Sequence, residues 1–448
     1  MKRLIALVLL FCISGCAGAS SPVPPQGSVP AQATGTLALE PAGRVDTDFT
    51  IQRRHIFWSR APLGTATRKN SAAGVKFFVK GLVYSPSPIG KTVGDAPLLD
   101  DPLRDGNEAI WSRDLPLIRK AGANAIHVYN VVPPPYDKDT GPIKKFLEAA
   151  WNGGDHPVYV IMSVYFTGEK LLNQGAVTAL AQQYHDLDAK YAKYPAVMGV
   201  AIGNEIGAEN FIQNPTWWKN FNIIANSARK GFADGGDPAK IVTTSEADGN
   251  IGAVKYGEQN KAAVDVWGIN IYRGRTFTNL FDQIRQYTKK PVLLTEYGAS
   301  AAHHPGWSNT YSWDNAPGGV GQCTPHNASG GTSKSDIAEL PAAGNPNMAG
   351  LIDLVQNNAQ WLYRGWKDQN GVVSGGFYFE WTDEWWKANG GNPSMHYGNV
   401  AFNGHYPGCS EDQGWYGLNA LTKGPNDVDT LNPRPTLQRL VDTWANEN

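Results

Sequence analysis

Val197-Met198-Gly199-Val200-Ala201-Ile202 runs directly into Gly203-Asn204-Glu205-Ile206. A short, continuous, uncharged run of this kind reads as a strand buried on both faces, as in a parallel sheet. Seven other runs share its character: Phe77–Tyr84, Ala125–Val131, Val158–Tyr165, Ile241–Ser245, Val264–Tyr272, Val292–Tyr297 and Gly375–Trp381. Stretches of helical period lie between them, for example Leu351, Leu354, Val355, Ala359 and Leu362. The chain closes on Leu437, Leu440, Val441 and Trp444, spaced i, i+3, i+4, i+7. Eight strands, each followed by a helix, predict an α/β fold of the (β/α)8 TIM-barrel type.

No internal repeat and no clean second domain interrupts this alternation. The segment from Asp46 to Gly74 either leads into the barrel or caps its N-terminal end. Two connections are too long for plain loops: Ala299 to about Asn345 after strand seven, and Lys387 to about Arg434 after strand eight. Long insertions in a compact domain are usually functional, and both of these emerge at the catalytic face of a barrel. Across its 448 residues the chain carries 39 Lys plus Arg against 40 Asp plus Glu. That balance argues against a nucleic-acid partner, which would call for a basic excess. Fifteen tryptophans suit core packing and sugar stacking alike.

At the N-terminus Lys2 and Arg3 precede an apolar run from Leu4 to Ile13. As a helix it rises only ~15 Å, half a bilayer core, so residues 1–15 read as a signal peptide. The run ends at Ile13-Ser14-Gly15-Cys16, which resembles a bacterial lipobox. That resemblance implies cleavage before Cys16, acylation of its thiol, and an exported lipoprotein held to the bilayer at the cell envelope. The alternative is a plain secretory signal with an incidental cysteine. Residues 16–45, poor in charge and rich in Pro, Ser, Ala and Gly, read as a flexible tether, leaving 46–448 as the folded domain. Cys12 departs with the signal and Cys16 takes the lipid, so Cys323 and Cys409 remain. In an exported protein such a pair points to a disulfide, and it accompanies no CxxC or HExxH spacing. We expect it to join the two long loops, with a worth of roughly 2–4 kcal/mol. The nine histidines, His303-His304 included, show no metal-ligand spacing, so no metal or other cofactor is expected. A monomer is expected as well.

Barrel enzymes place catalytic groups where strands end. Strand four ends at Gly203-Asn204-Glu205-Ile206 and strand seven at Thr295-Glu296-Tyr297-Gly298. Two carboxyls ~5–5.5 Å apart let one attack an anomeric carbon while the other protonates the leaving oxygen, the arrangement of a retaining glycosidase. These two glutamates resemble those of clan A glycoside hydrolases. In more detail the pattern is similar to family 72, the β-1,3-glucanosyltransferases, from Val75 to about Glu384. The resemblance rests on an ordered set of segments. It begins with Val79-Lys80-Gly81-Leu82-Val83-Tyr84, Asp101-Pro102-Leu103, Arg113-Asp114-Leu115-Pro116 and Gly122-Ala123-Asn124-Ala125-Ile126-His127-Val128-Tyr129. It continues through the Asn204-Glu205 segment, Gly268-Ile269-Asn270-Ile271-Tyr272, the Glu296 segment and Ser374-Gly375-Gly376.

The resemblance implies Glu205 as acid/base and Glu296 as nucleophile. It also implies Asn204 on the substrate 2-hydroxyl, Tyr272 against the nucleophile, and Tyr129 and Tyr84 as substrate contacts. The bland alternatives are a strand-end cap for Asn204 and packed barrel residues for the three tyrosines. Three departures stand out. The family's Ile-Arg-Val-Tyr is Ile126-His127-Val128-Tyr129 here, exchanging a fixed cationic fork for a side chain that donates one hydrogen bond; His127 is expected either to serve in its place at the substrate site or to weaken that site. On strand eight Phe379-Glu380-Trp381 replaces Tyr-Glu-Tyr, with Trp381 like the strand-eight tryptophan of other clan A families and expected to bind substrate in an acceptor subsite with Trp385 and Trp386. The family's Cys-rich C-terminal module is absent from this sequence, and Trp415-Tyr416-Gly417-Leu418 with Pro433-Arg434-Pro435 looks more like the barrel end of family 2 enzymes.

Further candidates carry less weight. Glu246 and Asp248 end strand five and read as a structural pair; Asp383 and Glu384, beside Trp385 and Trp386, read as a surface acidic pair or as acceptor-sugar contacts. Trp217-Trp218 is a sugar platform or simple packing. Burial and the charge of Glu296 are expected to raise the pKa of Glu205. The sequence thus predicts a retaining β-glycosidase or transglycosylase acting on a β-glucan-type oligo- or polysaccharide. The alternative is a carbohydrate-binding lipoprotein that kept the barrel and lost its chemistry, for which His127 is the only argument.

Overall fold

The computed structural model describes residues 45–52, 54–62, 74–91, 107–131, 141–207, 209–247, 251–303, 313, 338–340, 345–368, 370–390, 394–396, 406–409 and 412–447. The signal sequence, Cys16, the tether and Cys323 lie outside the described residues, as does the side chain of Cys409.

Eight parallel strands form the barrel: β1 (Val79–Val83), β2 (Ala125–His127), β3 (Tyr159–Ser163), β4 (Val197–Ala201), β5 (Ile241–Thr243), β6 (Trp267–Asn270), β7 (Val292–Tyr297) and β8 (Val373–Tyr378). Each pairs with the next, β8 returns to β1, and parallel bridges Thr243↔Val266 and Glu246↔Ile269 close the ring between β5 and β6. The observed strands are mostly shorter than the apolar runs that announce them, because the runs continue into the turns at the barrel mouth. Helices α1 (Glu108–Lys120), α2 (Gly141–Trp151), α3 (Gln174–Tyr191), α4 (Pro215–Asp234), α5 (Ile251–Gln259), α6 (Leu280–Tyr287), α7 (Pro346–Lys367) and α8 (Pro435–Ala445) follow the strands in turn.

The alternation along β3 shows why the runs are apolar throughout. Tyr159 and Ile161 pack in the barrel interior with Val83, Met198, Leu293 and Phe377, whereas Val160 and Met162 pack outward in the core shared with the helices. Both faces of each strand are therefore dry. The N-terminal hairpin, Val45–Gln52 against His55–Pro62, plugs the floor. Phe49 donates its N–H to the Ala239 carbonyl at 2.8 Å, and its ring meets Tyr159 edge-on at 5.0 Å. It caps the N-terminal end of the barrel, one of the two roles the sequence left open.

The two long connections meet above the opposite end. Ala301 donates to the Trp415 carbonyl at 2.8 Å, Ser300 to the Asp412 carbonyl at 3.1 Å, and Arg434 to Glu339 at 2.8 Å. Arg434 also grips Asp383 with two bonds of 2.7 Å, both groups being buried. Among the described residues no helix is long and apolar enough to cross a membrane.

Candidate active site

The loop leaving β4 is shaped by its glycines. Gly203 sits at φ +70°, and a Cβ there would come within 2.7 Å of Ile206. Its N–H donates to the hydroxyl of Tyr184 on α3 at 2.8 Å, and that hydroxyl also lies 3.0 Å from the Ala201 carbonyl. A helix tyrosine thus ties down the turn that carries Asn204 and Glu205. Glu205 itself has φ +52° and donates its N–H to the Ser245 carbonyl at 2.6 Å. A non-glycine residue in the left-handed region is strained, and such strain gathers at functional sites.

A cluster of polar side chains from four strand ends orients this turn. Asn204 Oδ1 accepts from Ser245 Oγ at 2.6 Å and from Asn270 Nδ2 at 3.2 Å, and Asn270 Nδ2 also reaches Glu205 Oε1 at 3.0 Å. Thr295 Oγ1 donates to Asn270 Oδ1 at 2.8 Å. Both of these bonds to Asn204 end on its oxygen rather than on its amide nitrogen.

Glu296 faces this cluster from β7, and a bulge turns it there. Along β6 the partners of Leu294 and Glu296 are the consecutive residues Ile269 and Asn270; along β8 the partners of Leu294 and Tyr297 are Gly376 and Tyr378. Strand β7 thus holds one extra residue, which breaks the in-out alternation and lets Thr295 and Glu296 both address the interior. Glu296 Oε1 accepts from the Tyr129 hydroxyl at 2.5 Å, and Oε2 accepts from the Tyr272 hydroxyl. Burial, then the charge of Glu205, pushes the Glu296 carboxyl up to about 8, while the two phenols and Lys387 pull the other way. Burial and the Glu296 charge push both tyrosines upward, so they stay protonated as donors. Beside Glu296, Tyr272 is edge-on to Phe379 at 6.1 Å and to Tyr416 at 5.6 Å.

No family model matches the chain. A 1,3-beta-glucanosyltransferase of Arthroderma benhamiae is 24% identical over 242 residues, covering 51% of this chain and 42% of that one. A second, from Saccharomyces cerevisiae, is 24% identical over 253 residues, covering 52% of this chain and 47% of that one. The chain resembles 1,3-beta-glucanosyltransferases. It spans somewhat under half the length of these curated relatives. Among solved structures, Saccharomyces cerevisiae Gas2p in complex with laminaripentaose superposes with a TM-score of 0.52 at 15% identity, covering 90% of this chain and 70% of that one. A beta-D-glucuronidase of Dictyoglomus thermophilum gives a TM-score of 0.52 at 13% identity, covering 89% and 53%. At such identities these structural likenesses speak for the barrel fold.

Against the glucanosyltransferase pattern, the structure brings Glu205, Glu296, Asn204, Tyr129 and Tyr272 together and leaves others out. Tyr84 is a correction: its ring stacks on Phe146 of α2 at 6.3 Å and its hydroxyl donates to Asp114 of α1 at 3.0 Å, so it points away from the cleft. Trp381, 1% exposed, packs in that same outer core and offers no face to a sugar. Trp217 and Trp218 are fully buried on α4, their N–H groups on the carbonyls of Gly168 and Ile212, which settles them as packing. Asp383 and Glu384 are buried rather than on the surface.

His127 is fully buried, and burial drives its pKa down to about 4, so it is neutral. Among the described residues neither ring nitrogen makes a hydrogen bond of normal geometry; the ring packs beside Tyr129 at 4.9 Å and Phe377 at 5.8 Å. Among the described residues it makes no hydrogen bond to Glu296. Glu205 is exposed, contrary to the burial expected of it. Sequence reasoning missed Ser245, Thr295, Lys387 and the hydrogen-bonding role of Asn270. A visible signal was available for Asn270, a polar residue ending the otherwise apolar strand Trp267–Asn270.

Proposed function

We propose that this chain is a retaining β-glycosidase or transglycosylase that acts on β-1,3-glucan-type oligo- or polysaccharides through a covalent glycosyl-enzyme. The observation that carries this reading is Glu296 at the end of β7, buried and held by two phenols, opposite the exposed Glu205 at the end of β4. The named activity of the relatives and the laminaripentaose bound to Gas2p support the β-1,3 linkage.

In this mechanism Glu296 attacks the anomeric carbon, and the glycosidic bond breaks as Glu205 gives its proton to the departing oxygen. Asn204 donates its amide to the sugar 2-hydroxyl. The charge of Glu205 disfavours ionisation of Glu296, which couples the two carboxyls. Forming the glycosyl ester removes the charge of Glu296, and Glu205, now ionised, takes a proton from the incoming acceptor. Water as acceptor gives hydrolysis; a sugar hydroxyl gives transfer. Tyr129 and Tyr272 accompany the nucleophile through both steps, strengthening their bonds as negative charge returns to it.

The same reading includes export under residues 1–15, a lipid anchor on Cys16, a tether over 16–45, a folded region over 46–448, and a monomer at the cell envelope. The test is to incubate a form beginning at Ala17 with β-1,3- and β-1,2-linked glucan oligosaccharides and follow product masses. Products longer than the β-1,3 substrate establish transfer, and shorter ones alone establish hydrolysis. Loss of either product in Glu205→Gln and Glu296→Gln assigns the pair. No change in any oligosaccharide, or full activity in both variants, overturns the proposal.

A further inference from the structure

The ladder between β3 and β4 ends at the pair Ser163 and Ala201. One step further the two backbones part. The Ser163 carbonyl accepts from Val131 at 2.8 Å, and Ile202 turns its own N–H to the Thr243 carbonyl of β5 at 2.9 Å. A side-chain hydroxyl stands in the gap. Tyr184 Oη accepts from the Gly203 N–H at 2.8 Å and from the Val164 N–H at 3.3 Å. It lies 3.0 Å from the Ala201 carbonyl and 3.1 Å from that of Val164. A hydroxyl accepts two bonds and donates one, so both lone pairs are used and two carbonyls compete for the proton. Tyr184 is fully buried on α3, edge-on to Phe166 at 6.4 Å, and burial pushes its phenol upward, so the hydroxyl stays protonated.

The turn that begins at Gly203 is held from two sides. From β5, the Ser245 carbonyl takes the Glu205 N–H at 2.6 Å and Ser245 Oγ reaches Asn204 Oδ1 at 2.6 Å. From the helix layer, the Tyr184 hydroxyl takes the Gly203 N–H. Within this turn Gly203 sits at φ +70° and Glu205 at φ +52°. A non-glycine residue keeps such a conformation only where its surroundings over-determine it. Glu296 is held by Tyr129 and Tyr272, from the segments after β2 and β6, and neither phenol bonds to Tyr184.

We infer that Tyr184 is a positioning residue for Glu205: its hydroxyl, inserted where β3 and β4 part, fixes the turn that aims the acid/base and leaves the nucleophile alone. This rests on the reading of Glu205 as the acid/base of a retaining mechanism. The consequence is a division by leaving group. A sugar hydroxyl departs only as it receives the proton of Glu205, whereas a dinitrophenolate is stable enough to depart without it. Both reactions need the same attack by Glu296. Losing the aim of Glu205 therefore penalises the first and spares the second, which general loosening of the barrel mouth would not do.

The test compares wild type with Tyr184→Phe on a β-1,3-glucan oligosaccharide and on its dinitrophenyl glycoside, with rates normalised to the folded fraction from circular dichroism. In the variant, kcat/KM on the plain oligosaccharide falls about a hundredfold, the loss expected of a ~1 Å misplacement. On the dinitrophenyl glycoside kcat/KM is unchanged, while kcat and KM fall together because the glycosyl-enzyme accumulates when its base is misaimed. Should Tyr184→Phe fail to fold, a monofluorinated tyrosine placed at position 184 by amber suppression keeps the ring and the hydroxyl and weakens the oxygen as an acceptor. It gives the same division in smaller measure. Equal losses of kcat/KM on both donors, or no loss on either, overturn the inference. A wild type inactive on both donors sinks the proposed activity, and the role of Tyr184 falls with it.

Discussion

Glu246 offers a test of the buried electrostatics by stability rather than by catalysis. It lies just beyond β5, fully buried, with neither carboxyl oxygen in a hydrogen bond of normal geometry among the described residues. Its carboxyl presses on the loop that carries Glu205, so closely that a Cβ on Gly207 would fall 2.2 Å from Oε2. Burial first, then the charge of Glu205, pushes its pKa from 4.5 to about 8. The folded protein therefore keeps a proton that the unfolded chain releases above pH 4.5. With fewer protons bound in the unfolded state, stability falls as pH rises through this window and levels off above pH 8. Each pH unit is worth about 1.4 kcal/mol, so the group removes roughly 3–4 kcal/mol between pH 5 and 8.

Glu246→Gln keeps the shape and cannot titrate. Urea unfolding at constant ionic strength should place the variant near or below wild type at pH 5, because its amide has no acceptor. At pH 8 it should have gained about 3 kcal/mol relative to wild type. The slope of Glu296 is common to both proteins and cancels in the difference. A difference between the two that stays constant from pH 5 to pH 8 would refute the assignment of a buried, protonated Glu246.

Tyr272→Phe removes one donor from Glu296 without altering the packing of the ring. A hydrogen bond to a charged group is worth about 1.5–3 kcal/mol, so the acid limb of kcat/KM should move up by about 1–2 pH units; an unmoved limb would show that the phenol does not hold the ionised nucleophile. For Cys323 and Cys409, intact mass of the exported protein should rise by 2 Da on reduction, about one disulfide, and the N-terminal peptide should carry acyl chains on Cys16. Two free thiols on Cys323 and Cys409 in folded protein would remove the covalent clasp and leave the loop hydrogen bonds to hold the two connections together.

The sequence determined the barrel, because strands buried on both faces must be apolar throughout, and eight such runs separated by helical periods admit few architectures. It also located Glu205 and Glu296, since a carboxylate ending a dry strand has few places to go except the barrel mouth. What it left undetermined was direction. In a strand with two buried faces, hydrophobicity does not reveal which residues point inward, so Tyr84 and Trp381 looked like cleft residues although they pack against the helices. The extra residue in β7 that aims Glu296 at Tyr129 and Tyr272 is visible only in the pairing with its two neighbours. Charge was settled later still. That His127 is neutral, that Glu246 holds a proton, and that Lys387 supplies the nearby cation all depend on burial and on partners brought from other strands. Those are properties of the closed barrel, not of any segment within it.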